Sequence, residues 1–108
     1  MKWYTGLFIG EKAYKKIDKI RAKIEEGRRC RNAYLITLPA NSENMLDIIP
    51  VNLGIMITWR EIYVIGIAAT KQEAVLLTGE IIKKVYEETN DVKVKEYFSA
   101  PEDLFFKT

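Results

Sequence analysis

The chain predicts an α+β fold, and three observations carry that prediction. A strand–helix–strand pattern occurs twice in 108 residues, each time at the length of one βαβ unit. Both predicted helices carry helix-period apolar stripes with recognisable end signals. The predicted strands differ in face patterning, which separates central strands from edge strands.

The first strand is Tyr4-Thr-Gly-Leu-Phe-Ile-Gly10, with Trp3, Leu7 and Ile9 on one face and Tyr4 and Phe8 on the other. A charged helix follows. Ala13, Ile17, Ile20 and Ile24 recur at spacings of 4, 3 and 4, a single apolar stripe opposite the lysines. Gly27 suits the residue just past that helix, where a positive φ costs glycine nothing. The second strand is Ala33-Tyr-Leu-Ile-Thr-Leu38.

The third strand, Ile62-Tyr-Val-Ile-Gly-Ile-Ala-Ala69, opposes Tyr63, Ile65 and Ile67 to Ile62, Val64 and Ala68. It is apolar on both faces, as a strand covered on two sides must be. Thr70-Lys-Gln-Glu73 is a capping box opening the second helix. Ala74, Leu77, Ile81 and Val85 form that helix's stripe, widened by Val75, Ile82 and Tyr86, and Asn90 stops it. Gly79, inside this helix, is assigned to close helix–sheet packing. Residues 92–98 alternate Val92 and Val94 against Lys93 and Lys95, the pattern of a half-solvated fourth strand at an edge.

Residues 39–61 interrupt the repeat with an apolar insertion, expected as a short helix from Ser42 to near Pro50 and then an extended run. A ribbon of Asp47–Val51 against Ile55–Trp59 is the other arrangement. At the C-terminus, Ser99-Ala-Pro-Glu102 has the form of a helix start, and Leu104, Phe105 and Phe106 must dock against the rest. With the first and third strands central and the fourth at an edge, the pattern is that of a βαββαβ plait in one domain, 1–108.

That order resembles ferredoxin-like plaits, two-layer sandwiches with both helices on one side of the sheet. The long insertion between strands 2 and 3 is also similar in position to that of small trimeric signalling proteins, which implies a loop that contacts partners. Here the insertion is apolar. In such a sandwich the central strands offer apolar side chains to an uncovered face. The insertion, the tail, a ligand or another subunit must cover it, and a homo-oligomer, with a dimer favoured, is expected.

Composition excludes several classes. The chain has no histidine and one cysteine, so the usual catalytic and metal-ligand constellations are missing; no cofactor, metal or catalytic residue is assigned. Cys30 fits a reducing compartment, and no apolar run is long enough to span a membrane, so a cytoplasmic location is expected. Net charge is +2 but divided: residues 1–31 carry ten Lys/Arg against four Asp/Glu, and 32–108 carry seven against eleven. Such bipolarity suits self-association as well as an anionic partner.

The candidate ligand residues are Lys12, Arg28, Arg29, Arg31 and Tyr63. Arg28-Arg-Cys-Arg31 is the densest positive cluster, able to fork a phosphate or carboxylate, or else a solubilising turn after a helix C-terminus. Lys12 stands at a strand–helix junction containing Gly6 and Gly10, where helix N–H groups can hold an anion. Tyr4, Phe8 and Tyr63 sit where RNA-binding sheets carry aromatics, yet the basic start and paired rings of that motif are missing, which argues against nucleic acid. Asp47 and Glu61 flank the apolar insertion and are the acids an enzyme would use. The expected function is a non-catalytic ligand- or protein-binding module. A small cofactor-free enzyme of the dimeric α+β barrel type is the alternative, and a nucleic-acid-binding domain the weaker one.

Overall fold

A computed structural model describes residues 2–26, 30, 32–39, 45–51, 62–91, 94–98 and 105–107. Strand β1 (Lys2–Ile9) leads into a short helix α1 (Glu11–Tyr14) and then α2 (Ile17–Glu25). Strands β2 (Tyr34–Thr37), β3 (Asp47–Pro50) and β4 (Tyr63–Ala68) follow, then the long helix α3 (Lys71–Thr89), the short α4 (Val94–Phe98) and β5 (Phe105–Lys107). The five strands form one mixed sheet in the order β3-β2-β4-β1-β5.

The centre of the sheet is the parallel pair β1 and β4, flanked by antiparallel neighbours: β2 beside β4 and β5 beside β1. The backbones of β1 and β4 approach closely at Gly66, where an added Cβ would come within 3.1 Å of the Phe8 carbonyl oxygen. The pairing slips there: Trp3 faces Val64, but Phe8 faces Gly66, so β1 carries extra residues between the two registers.

Two cores lie on opposite sides of this sheet. Trp3, Leu35 and Val64 join Ile20 and Ile24 of α2 in one cluster. Ile36 and Ile65, the next residues along β2 and β4, join Leu77, Ile81 and Val85 of α3 in the other. Successive strand residues point to opposite faces, so α2 covers one face and α3 the other. The apolar character of both faces of β1 and β4 is thus explained within one chain, each face having its own helix.

The ferredoxin-like βαββαβ plait is therefore corrected. The sheet has five strands rather than four, β1 and β4 are parallel neighbours, and β2 opposes them. In a split βαβ plait the strand between the two joined by a helix runs antiparallel to both. The helices also lie on opposite faces instead of sharing one, which removes the uncovered sheet face on which the two-layer sandwich depends.

Three elements differ from expectation for identifiable reasons. Residues 94–98 are helical instead of forming the fourth strand. Val94 and Phe98, four apart, are both fully buried in the α3 cluster, so the helical period of this segment prevails over the valine–lysine alternation. The edge position beside β1 goes to the tail, β5, pairing Phe105 with Tyr4 and Phe106 with Trp3. In the insertion, Asp47–Pro50 is a strand and not the end of a helix; it adds to the sheet edge by pairing Ile49 with Leu35 and Ile48 with Ile36. Here residues 48 and 49 alternate into the two cores, a strand period.

The expected single helix over the first charged stretch is broken at Lys15-Lys16. Lys16 has φ −122° and ψ 17°, and its N–H donates to the Ala13 carbonyl. The stripe nevertheless holds across the break, with Ala13, Ile20 and Ile24 buried. In β4 the expected grouping of Tyr63, Ile65 and Ile67 does not hold, because Ile67 lies with Val64 in the α2 cluster. A register shift against β2 between Ile36 and Thr37 displaces the alternation. Gly27, Ser42, Ile55–Trp59, Ser99–Glu102 and Leu104 lie outside the described residues.

Candidate interaction surface

Helix α3 is the best punctuated element of the chain. Thr70, in extended backbone, accepts the Glu73 N–H on its hydroxyl oxygen at 3.0 Å. Asn90 ends the helix in left-handed backbone at φ 58°, with its N–H donating to the Tyr86 carbonyl at 2.7 Å. Between these stops the helix runs 19 residues, about 28 Å.

The capping box is only half closed within α3. The Glu73 carboxylate reaches past Thr70 and accepts the Ala69 N–H on one oxygen and the Lys12 N–H on the other, each at 2.9 Å. Glu73 therefore joins the start of α3 to the start of α1 across the ends of the parallel strands. Burial pushes its carboxyl up, but N–H donation from Ala69, Lys12 and Ala13, with the Lys12 charge, outweighs this, and the group titrates below its ordinary value. Gly10 makes the reach possible, since a Cβ there would lie 2.2 Å from a Glu73 carboxylate oxygen. The anion held by the N–H groups at this junction is thus the chain's own.

The core side of α3 is Ala74, Leu77, Ile81 and Val85, as its stripe predicts. Val75 and Tyr86, expected to widen that stripe, do not. Val75 is 54% exposed, Leu76 64% and Tyr86 53%. Measured from Gly79 these residues stand at −4, −3 and +7, one face of the helix, turned away from the core stripe. Gly79 lies at the middle of that face, and a Cβ added to it would meet no atom within 4 Å. The expected close helix–sheet packing at Gly79 is therefore corrected: it is an outward residue. The result is a face 15 residues long from Gln72 to Tyr86, carrying Val75, Leu76 and Tyr86 beside Lys83, with a flat centre.

The sequence held a signal for this face. A helix lying on a sheet buries one stripe, and Val75 and Tyr86 each follow a stripe residue by about 100°. Adding both makes the apolar arc too wide for one sheet to cover.

The expected ligand residues are not brought together in what is described. Lys12 is exposed on α1, beyond the C-terminal end of β1, while Tyr63 opens β4, parallel to β1, at the opposite end of the sheet. The Lys2 ammonium lies 5.1 Å from the centre of the Tyr63 ring and 3.4 Å from its hydroxyl. Arg28, Arg29, Arg31 and Glu61 lie outside the described residues. Asp47 begins β3, and Cys30 is buried in the α2 cluster as a free thiol.

Beside the break between α1 and α2 is a shallow depression of about 220 Å³ lined by Tyr14 to Lys19. It is smaller than the roughly 300–1,000 Å³ of small-molecule sites. Among the described residues, no group of three or more His, Cys, Asp or Glu could hold a metal ion, and no helix is long and apolar enough to cross a membrane. The chain matches no protein-family model, no curated protein and no solved structure.

Proposed function

We propose that the chain is a non-catalytic binding module that works by protein contact through the outward face of α3. The observation that carries this reading is the exposure of Val75, Leu76 and Tyr86 on one face of a helix whose other side is already buried. Single exposed apolar residues are ordinary, but three on one face of a helix, with the half-buried Ile82 between them, are a mark of contact surfaces. Gly79 adds to it, because a residue without a side chain lets a partner approach the helix backbone.

The test places a photo-reactive amino acid at Leu76 in the cell and a control at exposed Glu25 on α2. Protein adducts specific to position 76, of whatever mass, support the reading. Equal or no adducts at the two positions overturn it.

A further inference from the structure

We infer that the partner of this face is a second copy of the chain, its α3 packed antiparallel across a two-fold axis at Gly79. The inference rests on the reading of α3 as a contact face and adds the identity and geometry of what it contacts.

The face has the spacing of a helix-pairing seam. Gln72, Gly79 and Tyr86 are seven residues apart, as are Val75 and Ile82. With a two-fold axis at Gly79, residues on the same flank of the seam and about equally far on either side of the axis meet. Val75 of each helix then lies against the exposed edge of Ile82 of the other, and Leu76 against the aliphatic stem of Lys83. At the centre the two glycines allow the helix axes to approach to the short end of the usual range, about 8 Å.

Charge complementarity selects a copy over an unrelated helix. In this register the Lys71 ammonium at the start of one α3 comes to the Tyr86 ring at the end of the other, a cation–π pairing made twice by symmetry. Each helix also keeps its own exposed Lys83–Glu87 pair at 4.0 Å. Antiparallel packing sets each helix dipole against the opposite end of its partner's. One helix pair of about 28 Å buries less than the roughly 1,200 Å² of a standard stable interface, the size class of weak, reversible contacts.

Sedimentation equilibrium of the purified chain over a range of concentrations tests this. The expected result is a reversible monomer–dimer equilibrium, weakened at least about 10-fold by Gly79→Arg. That substitution leaves the fold intact because the space beyond Gly79 is open, and an unchanged or higher melting temperature verifies it. Orientation is read by oxidation in a Cys30→Ala background. Gly79→Cys links to itself across the axis, whereas Gln72→Cys does not, its two copies standing about 21 Å apart along the seam. A monomer at all concentrations, a dimer indifferent to Gly79→Arg, or self-linking of Gln72→Cys overturns the inference. A monomer whose Leu76 probe still captures other proteins defeats the second copy but leaves the contact reading standing; a monomer with no specific adducts defeats both.

Discussion

The Glu73 carboxylate and the Lys12 backbone N–H, 61 residues apart in sequence, are joined by a 2.9 Å hydrogen bond. The bond connects the first turns of two helices that lie on opposite faces of the sheet. It does so at the carboxyl ends of the parallel strands β1 and β4, the place where open α/β sheets with helices on both faces form a crevice. Here an internal carboxylate fills that position.

Because Glu73 titrates below its ordinary value of 4.5 in the folded chain, its ionised form is the one the fold favours. Its contribution to stability is thus fully present above about pH 4.5 and is lost as pH falls through the lowered value. Glu73→Ala is expected to cost about 2 kcal/mol at neutral pH, the scale of hydrogen bonds to a charged group at a partly exposed site. Urea melts of both proteins from neutral pH downward check this. The stability gap should close in acid, and a gap that stays constant with pH would assign the loss to packing instead.

Gly10→Ala puts a methyl group where the Glu73 carboxylate now sits. Gly10 itself is in ordinary extended backbone at φ −62°, so the substitution introduces no backbone strain. The methyl group also restricts the unfolded chain, which stabilises, so any net loss must come from displacing Glu73. Gly10→Ala is expected to destabilise by about 1–2 kcal/mol alone and to be neutral or stabilising by up to about 1 kcal/mol in a Glu73→Ala background. A double-mutant cycle from denaturant melts measures the coupling, and additive losses would show that the contact is not what Gly10 protects.

The caps of α3 were legible because they are local chemistry: Thr70, Glu73 and Asn90 act within a few residues of themselves. The reach of Glu73 to Lys12 was not, since it depends on β1 and β4 being parallel neighbours, a long-range fact with no local sign. Face patterning correctly put β1 and β4 inside the sheet, but two-sided apolar strands fit either an open-faced sheet with a partner or a sheet with a helix on each side. Only the position of α3 decides between them. The segment after Asn90 reads as a strand from sequence because Val92 to Phe98 satisfies both periods, and burial of Phe98 under Tyr4, at 5.1 Å between ring centres, favours the helix. The outward face of α3 is visible in the sequence as residues but not as a face, because Val75 and Tyr86 each adjoin a residue of the buried stripe.

Gly79 in an exposed helix interior predicts a simple stabilisation. An alanine methyl there meets nothing within 4 Å, and the unfolded chain loses conformational freedom that glycine has. Gly79→Ala is expected to raise monomer stability by about 1 kcal/mol, measured by thermal melting in dilute solution where association is negligible. A destabilised variant would mean that the glycine serves the fold itself, against its outward placement.

Tyr97 and Glu88 give the chain an alkaline limit. The Tyr97 hydroxyl donates to the Glu88 carboxylate, tying α4 to the last turns of α3. That hydrogen bond, then burial, then the nearby Glu88 charge and Tyr4 push the Tyr97 hydroxyl up from 10.0 to about 12. A raised value means the folded chain holds the proton more tightly than the unfolded one. The contribution of the pair is therefore complete below about pH 10 and lost as pH rises toward 12. Tyr97→Phe keeps the ring against Phe98 and removes only the hydroxyl, at an expected cost of about 1 kcal/mol near neutrality. Melts of the two proteins should differ by that amount up to about pH 10 and converge above it. Absorbance titration should show one late tyrosine in the parent that is missing from the variant; its persistence would assign the late titration to another ring and break the link between α4 and Glu88.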